Sequence, residues 1–261
     1  MSSTTNQNKQ QTIKIVAFAG SVREASANAG LIRAAQGLAR SIPHVEFRVV
    51  THLVGQLPLF DSDLEAAEGF TGAVSEWREA LRAADALLIA TPEYNYSVPG
   101  PLKNAIDWAS RPDDATYSSF PAANKPVAIM GAGGAMGTSR AQYHLRQVGV
   151  FLDWHFVNKP EVNVNLWGGK PISDGATGDL VDDATRLQVK ALLDALIQWT
   201  TRLRTTTTTT AADDQAVAEE ESKASGLLRG WSKADLKAAL KEQKKRERAE
   251  KKAHRKAAAH A

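Results

Sequence analysis

Short apolar runs rich in β-branched residues recur through residues 13–204, each closed by glycine, proline or a polar residue. Such runs are typical of strands that are buried on both faces of a parallel sheet. One segment, VEFRVVT, instead alternates apolar and polar positions, which also predicts a strand. We therefore predict five strands, at Ile13–Ala19, Val45–Thr51, Asp85–Ala90, Lys125–Gly131 and Trp154–Val157.

The segments between these runs predict helices, because several carry apolar residues at helical spacing with capping residues or prolines near their starts. The predicted helices are at about Asn28–Arg40, Thr71–Ala84, Pro101–Ser110, Thr138–Val150 and Leu180–Arg204. Strands that alternate with helices indicate an α/β fold, a parallel sheet with helices on both faces. In the doubly wound strand order 2-1-3-4-5, ligands bind outside the carboxyl ends of the first and third strands. The loops after these strands, residues 20–28 and 92–100, are the polar ones, which favours that order.

The loop after the first strand, GSVREASAN, stands between a strand end and a helix N-terminus. Backbone N–H groups and the positive end of a helix make such a position suitable for a phosphate. One arginine beside Glu24 suits a single phosphomonoester better than a triphosphate, and the chain has no G-x-x-x-x-G-K-[ST] motif. The alternative is that Ser26 or Asn28 only caps the helix. The candidate phosphate ligands are Ser21, Arg23, Ser26 and Asn28.

The loop after the third strand, PEYNYSVPG, combines an amide, two tyrosines and two prolines. Asn95 and nearby backbone groups can bind the imide edge of a flat heterocycle, and Tyr94 or Tyr96 can cover a ring. Pro92, together with Pro99 further along, would hold the loop in shape. The alternative is a turn whose polar residues only satisfy their own backbone.

A glycine-rich segment, GAGGAMGTSR, follows the fourth strand. It does not complete the dinucleotide-binding pattern G-x-G-x-x-G, because Met136 stands where the last glycine is needed. Gly133 and Gly134 instead allow the backbone to approach a planar ligand whose phosphate lies on the first loop.

Together, GSVREASAN, PEYNYSVPGPLKNAIDW and GAGGAMGTSRAQYHLRQV resemble the NADPH-dependent FMN reductase family, over about residues 13–200. This flavodoxin-like family includes bacterial chromate and azo reductases and plant NADPH quinone reductases. The resemblance implies bound FMN, hydride transfer from NADPH to the flavin, and onward reduction of quinone, azo or metal-ion acceptors. It also implies a homodimer or homotetramer.

Carried over to this sequence, the resemblance places Ser21, Arg23, Ser26 and Asn28 at the FMN phosphate. It places Pro92, Glu93, Tyr94 and Asn95 along the ring and ribityl chain, and Gly133 and Gly134 beside the isoalloxazine. We predict no catalytic side chain, because the flavin carries the chemistry. We also predict no metal site, since the six histidines lack paired ligand spacing. Glu24 stands where some relatives have Lys, which leaves less positive charge at the phosphate.

Charge is distributed unevenly along the chain. Residues 1–204 hold 19 basic and 20 acidic residues, whereas residues 227–261 hold 12 and 4, a net charge of +8. We predict a flexible N-terminus at 1–12, one reductase domain at 13–204, a low-complexity linker at 205–226 and a basic, partly helical tail at 227–261. The tail is either a solvated segment or a basic arm for RNA, an anionic membrane or an acidic protein.

The absence of cysteine excludes disulfides and thiolate chemistry and suits a reducing compartment. The N-terminus has no apolar signal segment, and no run approaches the roughly 18 apolar residues of a membrane span. We therefore predict a cytoplasmic protein. The alternatives to the reductase are an FMN-binding electron carrier or redox sensor with little NADPH turnover, and an interaction protein that acts through its tail.

Overall fold

The computed structural model describes residues 11–113 and 119–204. The predicted linker (205–226), the tail (227–261) and all but the last two residues of the predicted N-terminus (1–12) lie outside the described residues.

Strands and helices alternate along the described chain, as predicted. The strands are β1 (Ile13–Ala19), β2 (Val45–Val49), β3 (Ala86–Ala90), β4 (Pro126–Gly133), β5 (His155–Phe156) and β6 (Val162–Asn165). The helices are α1 (Ala27–Ala39), α2 (Thr51–Val54), α3 (Ser62–Glu68), α4 (Gly72–Ala83), α5 (Gly100–Ala109), α6 (Ser139–Val150) and α7 (183–204).

All strands of the described sheet pair in parallel, in the order β2-β1-β3-β4-β5. This confirms the predicted flavodoxin-like order 2-1-3-4-5. The fifth position holds two short strands, because β5 pairs with the start of β4 and β6 pairs with its end, Met130–Gly133. Pro160 separates them, and a proline has no N–H to donate to a sheet.

The central strands are buried on both faces, which explains their nearly continuous apolar sequences. In β1, Val16 and Phe18 pack into the core on one side of the sheet, whereas Ile15 and Ala17 pack into the core on the other. The first core is completed mainly by α4 and α5, and the second by α1 and α7. Burial on both faces fixes the register of the strands and therefore the height at which each strand ends.

Three elements differ from the sequence-based prediction: α2, α3 and β6. The predicted second strand ends at Val49, and Thr51 begins α2, where its hydroxyl accepts a hydrogen bond from the N–H of Ala19 at 3.0 Å. The Thr51 hydroxyl thus takes the place of the backbone acceptor that a longer β2 would have offered to Ala19. Asp61 caps α3 by accepting from the N–H of Asp63 at 2.8 Å. The sequence-based prediction has no strand at β6, whose VNVN segment pairs with the end of β4.

Candidate functional site

The carboxyl ends of β1, β3 and β4 lie side by side in the sheet. Each is followed by a loop: the β1 loop (residues 20–26), the β3 loop (91–99) and the β4 loop (134–138). Backbone hydrogen bonds tie the strand ends together, from Gly20 N to Ala90 O at 2.8 Å and from Thr91 N to Met130 O at 2.9 Å. The segments predicted to hold a ligand therefore meet at one edge of the sheet.

The β1 loop leads into the N-terminus of α1. Ser26 is the N-cap, and its buried hydroxyl accepts from the N–H of Ala29 at 3.3 Å. The N–H groups of Ala27 and Asn28, in the first turn, have no intrahelical acceptor. They lie at the positive end of a helix of 13 residues, a position that favours an anion.

Arg23 and Ser21 occupy the start of the same loop. Ser21 is buried, and its hydroxyl accepts from the N–H of Arg23 at 3.4 Å. The exposed Arg23 side chain folds back and donates from Nε to Ala25 O at 3.0 Å. Its guanidinium is thus held beside the loop, with further N–H groups able to bind a ligand.

A pocket of about 400 Å³ lies beside the β1 loop. Ser21 and Arg23 line it, and His52 of α2 and Arg33 of α1 contribute from the other sides. Arg33 also pairs with Asp179, and its hydrogen bond holds the pKa of that carboxyl below its ordinary value. Ser26 and Asn28, the other two predicted phosphate ligands, do not line this pocket.

Asn28 joins α1 to the end of β4. Its side chain is buried, donates from Nδ2 to Ala132 O and accepts from Ala132 N at Oδ1, both at 2.9 Å. The amide thus replaces a sheet neighbour for Ala132 and fixes the start of α1 against the strand that carries the glycine loop. Because both polar atoms of the Asn28 side chain bind Ala132, the group of Asn28 best placed to bind a phosphate is its backbone N–H.

The β3 loop folds into a tight reverse turn. Asn95 and Tyr96 both have positive φ, 50° and 66°, and the N–H and C=O groups of Tyr94 and Ser97 bond to each other at 3.0 and 3.1 Å. A positive φ is unusual for tyrosine, and residues in such conformations cluster at functional sites. The turn leaves Tyr94, Asn95 and Tyr96 exposed, while Pro92 is buried beneath them.

Glu93 joins the β3 loop to α6. Its carboxylate accepts from Arg140 Nε at 2.7 Å and from the N–H groups of Arg140 and Ala141 at 3.1 and 3.2 Å. The Glu93 side chain is 8% exposed, so this contact is largely shielded from water. The Arg140 guanidinium in turn lies 3.6 Å from the centre of the Tyr96 ring. Glu93 therefore caps a helix and anchors the turn.

The β4 loop follows Gly133 and turns sharply, with Gly137 N donating to Gly134 O at 2.8 Å. A Cβ on Gly133 would lie 2.4 Å from Gly137 O, and one on Gly134 would lie 3.1 Å from the Trp167 ring. Close packing within the loop thus requires glycine at position 133, whereas position 134 packs tightly against an exposed side chain from outside the loop. Their bare backbone also presents no side chain toward a ligand.

Sequence reasoning missed two side chains at this edge, Arg140 and Trp167. Arg140 stands in the quoted GTSR segment, but its partner Glu93 is 47 residues away in sequence. Trp167 lies between the VNVN segment of β6 and a glycine- and proline-rich stretch, and the sequence-based prediction has no strand there to carry it to this edge.

Two negative findings concern residues 11–113 and 119–204. No three His, Asp or Glu side chains in this part of the chain are grouped as a metal ion would require. Within the same residues, no helix combines the length and apolar character needed to cross a bilayer.

The fold defines a flavodoxin-like protein, and its candidate ligand site is the carboxyl edge of β1, β3 and β4. A family model described as NADPH-dependent FMN reductase matches residues 13–169, and the chain belongs to that family. The resemblance inferred from the sequence is thereby confirmed.

Individual relatives support the same conclusion. The chain is 47% identical over 195 residues to a probable NADPH:quinone oxidoreductase of Oryza sativa subsp. japonica, covering 74% of this chain and 94% of the relative. It is 46% identical over 193 residues to an NAD(P)H-dependent FMN reductase of Pseudomonas aeruginosa, covering 74% and 97%. The solved structure of FerB, a flavoenzyme NAD(P)H:(acceptor) oxidoreductase from Paracoccus denitrificans, matches with a TM-score of 0.61 and 30% identity, covering 73% and 98%.

The residues at the site fit FMN. The N-terminus of α1 offers backbone N–H groups and a cation for one phosphate, the β3 loop offers an exposed amide, and the β4 loop offers side-chain-free backbone for a flat ring. The chain is an oxidoreductase with FMN and NAD(P)H as its cofactors, as predicted.

Proposed function

We propose that this protein passes hydride from NADPH, through bound FMN, to quinone, azo or metal-ion acceptors. The main support is that the β1, β3 and β4 loops lie together at one edge of the sheet, in a chain that belongs to this family. We place this activity in the cytoplasm, which suits a chain without cysteine.

In this proposal the FMN phosphate is held by Arg23, Ser21, Ser26 and the first N–H groups of α1. Pro92, Glu93, Tyr94 and Asn95 shape the wall along the ribityl chain and ring, with Glu93 acting by anchoring the turn to α6. Gly133 and Gly134 lie beside the isoalloxazine, and Asn28 positions them through Ala132. When bound, FMN supplies the redox chemistry, and the protein supplies orientation and a site from which water is excluded.

The first test is the visible spectrum of the purified full-length protein, followed by anaerobic addition of NADPH. Flavin absorption that bleaches within seconds supports the proposed reductase. Flavin absorption that persists would instead identify a carrier or sensor, and a protein that does not bind added FMN would overturn the assignment of the site.

Arg23→Ala tests the phosphate site. The substitution removes one charged donor at a partly solvated position, so we expect the FMN dissociation constant to rise about tenfold. Turnover of the flavin-loaded fraction should change little. Arg40→Ala removes the same charge at the other end of α1 and serves as the control. An unchanged dissociation constant in Arg23→Ala would remove this residue from the site.

The exposed end of α6 bears on the oligomeric state of the protein. We propose a homodimer or homotetramer, a state favoured by the exposed apolar side chains of Val150 and Phe151 at the end of α6. Sedimentation of the purified protein tests the oligomeric state.

We also propose that residues 227–261 bind a polyanionic surface, with RNA, an anionic membrane and an acidic protein as the candidates. Salt-sensitive binding that is lost on truncation after residue 204 would support this role.

A further inference from the structure

Trp167 is a large aromatic side chain that stands in solvent at the edge of the proposed flavin site. It is 79% exposed, more than any other described aromatic residue. Trp167 follows β6, which pairs with the end of β4 in the register Met130–Gly133 against Val162–Asn165. This pairing carries Trp167 to the same edge of the sheet as the β4 loop.

The position of Trp167 is fixed by its neighbours. Leu166 N donates to Gly133 O at 2.8 Å, and Trp167 N donates to Asn165 Oδ1 at 2.8 Å. The edge of the indole packs on Gly134, since a Cβ at that glycine would lie 3.1 Å from Cη2 and Cζ3 of the ring. One edge of the indole is therefore held against the β4 loop, and most of the ring faces solvent.

The chemistry of this surface suits a flat aromatic molecule. An exposed indole offers a neutral, planar face, and stacking of a second ring on it removes apolar area from water without requiring a charge. Met136, in the β4 loop, is a second exposed apolar side chain, at 59%. A small inorganic anion gains nothing from such a surface, whereas a quinone or an aryl azo compound does.

We propose that Trp167 determines acceptor specificity, by stacking with planar aromatic acceptors as they approach the flavin beside Gly134. The inference rests on the proposed function, because it takes Gly133 and Gly134 to flank the isoalloxazine. It adds a residue and a preference that the family assignment does not contain. Stacking on Trp167 strengthens the binding of planar aromatic acceptors and leaves the binding of inorganic acceptors unchanged.

The test compares Trp167→Ala with Trp167→Phe in the FMN-loaded, full-length protein. We expect Trp167→Ala to lower kcat/KM for 1,4-naphthoquinone about tenfold, the loss of about 1.4 kcal/mol of stacking. The kcat/KM values for ferricyanide and for NADPH should stay within about twofold of the wild type. Trp167→Phe keeps a stacking ring and should retain most of the naphthoquinone activity. Leu187→Ala removes another largely exposed apolar side chain, from α7, and is the control.

A binding measurement separates stacking from turnover. Calorimetric titration with naphthalene-2-sulfonate, whose planar ring system carries no quinone or azo group to be reduced, should give a dissociation constant about tenfold higher in Trp167→Ala. The FMN dissociation constant of the variant should equal that of the wild type.

Several outcomes would overturn the proposal while leaving the reductase assignment in place. Equal losses with naphthoquinone and ferricyanide, a parallel loss with NADPH, or weakened FMN binding would each show that Trp167 serves the flavin or the nucleotide. A shift in sedimentation on Trp167→Ala would show that the ring packs against a second copy of the chain. Failure of NADPH to reduce the flavin in the wild type would instead overturn the proposed function itself.

Discussion

The two hydrogen bonds between Asn28 and Ala132 predict that Asn28 stabilises the fold of the site even without a ligand. Replacing Asn28 by Ala leaves the N–H and the C=O of Ala132 without the partners that now lie at 2.9 Å. Asn28 is 4% exposed and Ala132 3%, so water cannot readily replace the lost amide. Each unsatisfied buried group costs about 1–3 kcal/mol, which for two groups predicts a loss of about 2–6 kcal/mol in the free energy of unfolding.

Thermal unfolding of the FMN-free protein measures this loss. For a domain of this size, about 2–6 kcal/mol corresponds to a Tm lowered by about 4–24 °C. Using the FMN-free protein is essential, because a residue that acted only by binding the phosphate would change the Tm of the FMN-loaded protein alone. A Tm within about 2 °C of the wild type in the FMN-free state would refute the reasoning.

Asn28→Asp provides a matched variant of nearly the same shape. Its carboxylate still accepts from Ala132 N but places a second oxygen against Ala132 O. Protonation restores the missing donor, so the pKa of the new carboxyl should be raised in the folded state. A raised folded-state pKa means that the folded protein binds more protons, and stability therefore increases as the pH falls. We expect the variant to be closer to the wild type at pH values of about 5 than at about 8.

Two further predictions concern groups outside the site. Arg78 and Arg82 bind the same Asp113 carboxylate, but Arg78 is 2% exposed and also donates to three backbone carbonyls, whereas Arg82 is 50% exposed. Denaturant unfolding should therefore show a loss of about 3–5 kcal/mol for Arg78→Met and less than about 1 kcal/mol for Arg82→Met, and equal losses would contradict this account. Asp182 accepts hydrogen bonds from Lys170 and from the first turn of α7, which lower its pKa to about 2. Its stabilising contribution is present above the ordinary carboxyl pKa and is lost as the pH falls toward 2, so the difference in urea midpoint between wild type and Asp182→Asn should shrink in acid, and a constant difference would argue against it.

The fold could be predicted from the sequence because burial on both faces leaves a direct pattern. The runs IKIVAFA and ALLIA are apolar throughout, since their alternate residues enter two different cores. What could not be predicted depended on contacts distant in sequence. Thr51 leaves β2 because its hydroxyl binds Ala19, and β6 forms because the end of β4 needs a partner that β5 is too short to supply.

The candidate site was predictable as a location but not as a set of contacts. Strand order alone places the β1 and β3 loops together, and their polar composition marks them as unusual. A sequence does not distinguish an amide that faces a ligand from one that binds backbone. Asn28 and Glu93 are polar residues of the predicted site, yet their side chains bind Ala132 and the start of α6.

The buried side chains of Asn28 and Glu93 bind protein groups, whereas the exposed groups around them are free to bind a ligand. Asn28 and Glu93 tie the three loops to their neighbouring elements. In the proposed site, the groups that contact the ligand therefore include the N–H groups at the start of α1, Arg23 and the exposed turn at Asn95. Most of these are backbone groups or lie on a tight turn, so their positions depend on the buried side chains beneath them. Substitutions at the buried pairs should therefore weaken binding by displacing donors, whereas substitutions at Arg23 should weaken it by removing one.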